Sequence, residues 1–333
     1  MNTSHHTVLV TGASGYLGTR VVADLLRQGA TVRAAVRSLD AEPALREAVR
    51  RAGVDDAGLD LTVASLTDDV GWDAAVSGVA GVYHLASPMT HATEDADLVV
   101  TPARDGALRV LRAARDAGVE RVVLTSSFAA VGYSPKPVNA KGVREFDERD
   151  WTDPAAPELP AYPRSKAVAE RAAWEFIERE GDGLELVVLN PTWIAGPTLT
   201  ADPRSSLQAF LAMLGGRMPL APRQRFGIAD VRDVSAAHLS AMTTPNAAGK
   251  RYLLLADGPT ISWLGVASVL RAHLGELAAA APTEEVPGDE LPPLVIHNER
   301  AKAELGFAPR PAETTIIETL DDMRERGMLG HGI

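Results

Sequence analysis

The segment TVLVTGASGYLG constrains the fold of this chain more than any other part of the sequence. An apolar β-branched run leads into three glycines spaced three residues apart, and an amphipathic stretch follows them as far as Gly29. Glycines at such a strand-to-helix junction allow a tight turn, close approach of the backbone to a pyrophosphate, and close packing of the helix on its strand. The free N–H groups that open the helix favour negative charge. The residues predicted to bind a dinucleotide here are Gly12, Ser14, Gly15, Tyr16, Leu17 and Gly18.

Short β-branched runs alternate with longer amphipathic stretches in the first part of the chain. Such alternation is typical of a parallel sheet that is covered by helices on both faces. The predicted fold class is therefore α/β, a Rossmann-type doubly wound parallel sheet. The predicted strands are 7–12, 31–38, 59–65, 81–87, 121–127 and 184–190.

Beyond Thr198 the sequence becomes mixed and rich in proline, with a strand predicted at 251–256. We interpret this part as a smaller substrate lobe that is interleaved with the end of the sheet. The predicted helices of this part are 205–214, 231–243, 263–274, 298–305 and 312–326. The predicted NADP-binding domain is 1–190 with 226–256 returning to it, and the predicted substrate lobe is 191–225 with 257–333.

Composition excludes several classes of function. The formal net charge of −11 argues against a nucleic-acid or anionic-membrane partner. The absence of cysteine excludes disulfides, thiolate metal sites and a cysteine nucleophile, and it fits a reducing cytoplasm. The N-terminus lacks the basic region of a signal peptide, and no apolar run approaches the roughly 18 residues of a membrane span. We expect a cytoplasmic protein with no metal site.

Arg37 and Ser38 end the second predicted strand, where an NAD-binding loop of this kind normally places an acidic residue. A guanidinium can pair with a 2′-phosphate and stack on adenine. The arginine therefore favours NADP(H) as the cofactor. A solvated arginine at the strand end is the alternative that the residues alone leave open. Arg33, on the same face of the strand, is interpreted as structural.

The segment AYPRSKAVAE places Tyr162 and Lys166 four residues apart. Residues with this spacing share one face of a helix and can meet the same ligand. Pro163 lies directly after the tyrosine, and proline is tolerated in a first helical turn. The spacing also occurs by chance in surface helices, so this segment does not distinguish a catalytic pair from a surface pair.

Six segments in a fixed order carry a family resemblance: TGASGYLG, GVYHLASP, RVVLTSSFAAV, YPRSK, LNPTWIAGP and IADVRDVSAAH. Together they resemble the extended short-chain dehydrogenases/reductases, in particular the branch of dihydroflavonol, cinnamoyl-CoA and NADPH-dependent aldehyde/ketone reductases. The resemblance covers nearly the whole chain, since NERAKAELGF resembles the C-terminal helix of the family. It implies an NADP(H)-dependent oxidoreductase that reduces a ketone or aldehyde to an alcohol.

The resemblance implies a role for each residue at a motif position. Tyr162 would donate a proton to the carbonyl oxygen, and Lys166 would bind the nicotinamide ribose and lower the pKa of the tyrosine. Ser127 would hydrogen-bond the substrate oxygen, with neighbouring Ser126 as the alternative. The further residues implied to contact the cofactor are Ser65, Leu66, Leu85, Ala86, Ser87, Thr125, Pro191 and Thr192.

The chain departs from the family pattern at two places. Ser65 stands where the family usually has an acidic residue before Leu66, which weakens one expected adenine contact. No lysine follows Arg37 closely, so binding of a 2′-phosphate would depend on Arg37 and Ser38 alone.

An apolar pocket that suits an aliphatic or aryl carbonyl is predicted for the substrate. Core packing is the alternative role for each of the residues predicted to line it, which are Met89, Phe128, Trp193, Phe210, Met213 and Phe226.

Two other functions stay open at this point. An NAD-dependent sugar-nucleotide epimerase or dehydratase would commonly need an acidic residue beside the serine, and SSFAAV has none. A non-catalytic NADP-binding sensor would not need the tyrosine–lysine pair. A homodimer is a further expectation from the resemblance.

Overall fold

The computed structural model describes residues 6–88, 97–200 and 206–329. The strands are β1 (Thr7–Thr11), β2 (Thr31–Val36), β3 (Leu59–Val63), β4 (Gly81–His84), β5 (Arg121–Thr125), β6 (Arg144–Phe146), β7 (Glu185–Pro191), β8 (Trp193–Ala195), β9 (Arg225–Phe226), β10 (Ile228–Asp230), β11 (Lys250–Leu254), β12 (Ile261–Ser262) and β13 (Leu294–Ile296). The α-helices are α1 (Tyr16–Arg27), α2 (Glu42–Arg51), α3 (Trp72–Val76), α4 (Asp97–Asp116), α5 (Ala161–Glu180), α6 (Leu207–Leu214), α7 (Val231–Thr243), α8 (Trp263–Leu274), α9 (Glu299–Leu305) and α10 (Ala312–Glu325). No helix within these ranges is long and apolar enough to cross a membrane.

Seven parallel strands form the main sheet, in the order β11-β7-β5-β4-β1-β2-β3. The strand order reverses between β1 and β4, so the sheet is doubly wound, as the sequence predicts. Strand β1 is central because its residues TVLVT are apolar or β-branched and almost wholly buried. Helix α1 ends at Arg27, two residues before the predicted end at Gly29, whose φ of 82° an L side chain rarely adopts.

Helices cover both faces of the sheet. One face carries a core to which α1, α2, α7 and α9 contribute buried apolar side chains, and the other face carries a core built with α3, α4 and α5. Burial on both faces explains why these strands are continuous apolar runs rather than alternating ones.

A third apolar core lies in the C-terminal part of the chain, where α6, α8 and α10 pack together beside β9 and β12. Its helices lie in the segments predicted to form the smaller lobe, and the division of the chain into two domains stays a prediction. One segment assigned to it by the predicted boundaries lies elsewhere, because Ala301, Leu305 and Phe307 pack into the core on the sheet. Helix α9 comes directly after β13 in the chain and packs against β11 of the main sheet. The chain therefore passes between the lobe and the sheet more often than the predicted boundaries indicate.

Candidate active site

A cavity of about 1100 Å³ lies at the carboxyl ends of the sheet strands and extends to the C-terminal lobe. It spans the point between β1 and β4 where the strand order reverses, which is where ligands of doubly wound sheets bind. The structure brings every predicted cofactor-binding residue except Ser38 to its wall. Residues scattered from Gly12 to Thr192 in the sequence therefore meet in one site.

The glycine loop forms one end of the cavity. Gly12 has a φ of 67°, and a Cβ on Gly18 would lie 2.0 Å from the carbonyl oxygen of Gly12. A side chain at either position would therefore force the loop away from α1 or from the segment at Ala86. No side chain of the described ranges caps the start of α1, where Gly15 is the N-cap residue. The N–H groups of that first turn are thus available to a phosphate.

Tyr16 connects the glycine loop to the C-terminal half of the chain. Its hydroxyl donates a hydrogen bond of 2.5 Å to the carbonyl oxygen of Gly196, and burial raises the pKa of this tyrosine well above its ordinary value. Tyr16 is therefore a neutral hydrogen-bond donor that fixes the loop, besides lining the cavity.

His84 and Thr11 order the loop after β4. The Thr11 hydroxyl accepts the N–H of Ala86 at 3.1 Å and is hydrogen-bonded to Nδ1 of His84 at 2.8 Å. Burial, and then the charge of Lys166, lower the pKa of His84 to about 3. A neutral imidazole therefore holds the segment that carries Ala86 and Ser87 in the cavity wall.

Arg37 lies on the cavity wall beyond the glycine loop, at the end of β2. Among the described residues it has no ion-pair or hydrogen-bond partner, unlike Arg33, which donates to the carbonyl oxygens of Ala74, Ala75 and Ser77. The structural role predicted for Arg33 is thus confirmed. Ser38 does not line the cavity, because its hydroxyl binds the backbone and carboxylate of Asp40.

Ser127, Tyr162 and Lys166 meet in the middle of the cavity. The Ser127 hydroxyl accepts the N–H of Ala129 at 3.1 Å, which orients the oxygen and leaves its O–H free to donate. Helix α5 begins at Ala161, so Tyr162 lies in its first turn as the proline predicted. The Nζ atom of Lys166 is 5.9 Å from the centre of the Tyr162 ring.

Desolvation acts on both residues of this pair. Tyr162 is 43% exposed, and the partial desolvation of its hydroxyl raises its pKa, while its hydrogen bond with Ser127 opposes that rise. Burial lowers the pKa of Lys166 to about 8, with Glu170 acting in the opposite direction. The phenol is therefore protonated at neutral pH, and the lowering of its pKa by Lys166 stays a prediction.

The structure distinguishes the two adjacent serines. The hydroxyl of Ser126 donates a hydrogen bond of 2.5 Å to the buried carboxylate of Glu170. The hydroxyl of Ser127 instead contacts Tyr162. Both serines line the cavity, and the hydroxyl of Ser126 is the one bound to Glu170.

Aromatic side chains form the other end of the cavity. Phe128, Trp193 and Phe226 line it, as predicted. Phe210 and Met213 do not: both are wholly buried in the core of the lobe, and Phe210 stacks on Trp193 with ring centroids 4.9 Å apart. Phe210 and Met213 therefore have the core-packing role that the sequence left open as the alternative. Met89 lies outside the described residues.

Sequence reasoning missed part of this aromatic end. Trp263 packs 4.6 Å from Phe226, and its indole N–H donates to Gln224 at 3.3 Å. Gln224 in turn donates to the Tyr133 hydroxyl at 3.3 Å, so it bridges the two halves of the chain across the cavity. Trp263 directly follows Ser262, the N-cap residue of α8. A tryptophan at the start of a predicted helix was the one feature of the sequence that could have indicated a place in the site.

A doubly wound parallel sheet with a glycine loop at its switch point defines a dinucleotide-binding class of protein. Residues 8–254 match the model of the NAD dependent epimerase/dehydratase family. The chain belongs to this family, as its resemblance to the extended short-chain dehydrogenases/reductases predicted.

Known relatives resemble the chain over nearly its full length. A cinnamoyl-CoA reductase of Medicago truncatula is 34% identical, over 96% of this chain and 96% of the relative. An anthocyanidin reductase of Vitis vinifera is 30% identical, over 97% of this chain and 96% of the relative. Among solved structures, the yeast methylglyoxal/isovaleraldehyde reductase Gre2 complexed with NADPH is 26% identical, with a TM-score of 0.81 over 96% of this chain and 99% of that one.

Proposed function

We propose that this protein is an NADPH-dependent reductase that converts a ketone or aldehyde to an alcohol. The observation that carries the proposal is the meeting of Ser127, Tyr162 and Lys166 in one cavity, whose far end is formed by the glycine loop and Arg37. The reductases among its relatives, including a structure with NADPH, support the same activity.

The residues present fit an NADP(H) molecule. A Cβ on Gly12 or Gly18 would fill the space beside the loop, and the first turn of α1 has free N–H groups for the pyrophosphate. The guanidinium of Arg37 would hold the 2′-phosphate, a role that its lack of a partner among the described residues supports. Lys166 and Ser87 would hold the nicotinamide ribose. When bound, NADPH supplies the hydride that adds to the carbonyl carbon.

Tyr162 donates its proton to the carbonyl oxygen as negative charge develops there. Tyr162 carries this proton at neutral pH, since its pKa lies above the ordinary value. Ser127 donates a second hydrogen bond to the same oxygen. The ammonium group of Lys166 then stabilises the phenolate that remains on Tyr162.

The substrate end favours an uncharged, apolar carbonyl compound. Within the described part of the cavity wall the cationic residues are Arg37, at the adenine end, and Lys166, at the centre. The hydrogen-bonding side chains at the aromatic end are uncharged and include Tyr133, Ser206, Gln208, Gln224 and Trp263. An aryl or aliphatic ketone or aldehyde would pack against these rings.

The experiment that tests the proposal is NADPH oxidation by the purified protein with a panel of ketones, aldehydes and ketoesters. We expect turnover that is fastest with apolar, uncharged members. A tightly retained oxidised cofactor and no net NADPH oxidation would instead indicate an epimerase or dehydratase. NADPH binding without any turnover would indicate a sensor. The homodimer stays a prediction, which sedimentation of the purified protein tests.

A further inference from the structure

A carboxylate that takes no part in the proposed chemistry is buried directly behind the catalytic residues. Glu170 lies on α5, one turn after Lys166, and is 1% exposed. Its Oε2 atom accepts hydrogen bonds from the Ser126 hydroxyl at 2.5 Å and from the Asn190 amide at 2.7 Å. Its Oε1 atom accepts from Nε of Arg251 at 2.5 Å. The carboxylate is thus held by Ser126, Asn190 and Arg251, and the indole N–H of Trp174 also donates to Oε1 at 3.4 Å.

Arg251 is itself held rigidly in the interior. Its guanidinium donates to the carbonyl oxygens of Glu148 and Asp150 at 3.0 and 2.8 Å, and it lies 3.6 Å from the centre of the Trp151 ring. Only 6% of this arginine is exposed. The cation that faces Glu170 therefore comes from β11 and cannot swing into solvent.

The Asn190 amide reaches from Glu170 to the catalytic serine. Besides its bond to Glu170, the same Nδ2 atom donates to the backbone carbonyl of Ser127 at 3.1 Å. The carboxylate therefore anchors the backbone of Ser127 through one amide group. It also anchors the adjacent residue directly, through the Ser126 hydroxyl.

Stability alone is a poor explanation for this cluster. A buried ion pair must offset the desolvation of both charges, and apolar residues of similar volume often give equal or greater stability. The cluster also leaves the Asn190 Oδ1 and Arg251 Nη2 atoms buried without a hydrogen bond to the described part of the chain. Stability alone therefore does not account for these buried charges.

We propose that Glu170 is a positioning residue for the reduction: its buried carboxylate fixes the backbone of Ser127 through Asn190 and acts electrostatically on the ammonium group of Lys166, one helical turn away. This role rests on the proposed function, since it acts through Ser127 and Lys166. The titratable and charged described groups around Lys166 and Glu170 are Tyr162 on their own helix, His84 on β4 and Arg251 on β11. His84 is neutral at the pH values of interest, and the charge on Glu170 opposes the lowering of the Lys166 pKa by burial.

The test compares Glu170→Gln, which removes the charge, with Glu170→Asp, which keeps it. The pKa of Lys166 is read by NMR of lysine labelled with ¹³C at Cε, the resonance being assigned with Lys166→Met. The pH profile of kcat for NADPH-dependent reduction is measured in parallel. In Glu170→Gln we expect the Lys166 pKa and the alkaline limb of the profile to move down by about one pH unit. Glu170→Asp should retain both values within about 0.3 unit even if kcat falls.

A matched control is Glu304→Gln, which removes a carboxylate that pairs with Lys250 and lies away from the cavity. It should leave the Lys166 pKa and the alkaline limb unchanged. A folded Glu170→Gln variant, judged by its melting temperature and circular dichroism, with an unmoved Lys166 pKa would overturn the proposal.

A second variant, Asn190→Ala, tests the connection to Ser127 and stands in if Glu170→Gln does not fold. It should lower kcat by about tenfold to a hundredfold while the Lys166 pKa stays in place. An unchanged kcat would overturn the positioning role. The wild-type profile is measured first: absence of any turnover there would contradict the proposed function itself, whatever the Lys166 pKa does in the variants.

Discussion

The Nζ atom of Lys166 donates a hydrogen bond of 3.1 Å to the Ser87 hydroxyl. This bond joins the catalytic helix α5 to the loop after β4, two elements that are far apart in the sequence. It holds a cation on the cavity wall, where partial burial lowers the pKa of the lysine to about 8. The charged ammonium group that the proposed reaction needs at Lys166 therefore lowers the free energy of unfolding.

Replacing Lys166 by methionine should stabilise the protein without cofactor while abolishing most of its activity. The folded pKa of about 8 lies below that of an unfolded lysine, so wild-type stability rises between pH 8 and about 10.4 as the folded state sheds the proton. Urea unfolding should show Lys166→Met to be more stable than wild type at pH 7.5, and the difference should be smaller at pH 10.

The control is Lys302→Met, which removes an exposed partner of Asp257 and should show no such pH-dependent difference from wild type. A Lys166→Met variant less stable than wild type at pH 7.5 would contradict this reading.

Arg37→Ala should reduce the preference for NADPH over NADH. We expect kcat/KM with NADPH to fall by about tenfold to a hundredfold, because a charge-assisted contact to the 2′-phosphate is lost, while the value with NADH changes little. Steady-state kinetics with both cofactors measure the ratio. Arg33→Ala is the matched control, since its guanidinium binds backbone carbonyls instead. Equal losses with the two cofactors in Arg37→Ala would rule out a contact to the 2′-phosphate.

The two adjacent serines should respond differently to alanine. Ser127→Ala removes a donor to the substrate oxygen and should lower kcat by about a hundredfold or more. Ser126→Ala removes only a hydrogen bond to Glu170 and should lower kcat by less than about tenfold. Stopped-flow or steady-state NADPH oxidation compares the two variants. A larger loss in Ser126→Ala would reverse the assignment.

Phe226 and Phe210 offer a matched pair in the lobe. Phe226→Ala should raise KM for an apolar ketone, since this ring lines the cavity beside Trp263. Phe210→Ala should instead lower the free energy of unfolding by about 3–5 kcal/mol, because the side chain is wholly buried under Trp193. Kinetics and denaturant unfolding of both variants separate the effects. An increase in KM for Phe210→Ala without loss of stability would place that ring in the substrate site after all.

The sequence predicted the sheet and the nucleotide end of the cavity well, because each is encoded locally. Gly12 and Gly18 are needed wherever a backbone packs this closely, and a buried parallel strand such as β1 can be recognised from its own residues. The tyrosine–lysine spacing likewise reflects the geometry of a single helix.

The substrate end was harder to predict because it is assembled from distant segments. A phenylalanine such as Phe210 and one such as Phe226 look alike in sequence, and only the packing of the lobe decides which ring faces the cavity. The partner of Ser38 was equally hard to predict, since nothing in the strand pattern showed that its hydroxyl would bind Asp40. The links from Glu170 to Ser126, Asn190 and Arg251 join four separate elements and have no local signature.

The most direct test of the account is the effect of Tyr162→Phe on NADPH-dependent carbonyl reduction. The variant lacks only the hydroxyl, so NADPH binding measured by fluorescence should stay within about twofold of wild type. The rate of carbonyl reduction in a single turnover should fall by about a hundredfold to ten-thousandfold, because the proton donor is gone. A variant that binds NADPH and reduces the carbonyl at the wild-type rate would contradict the role of Tyr162 and the mechanism built on it.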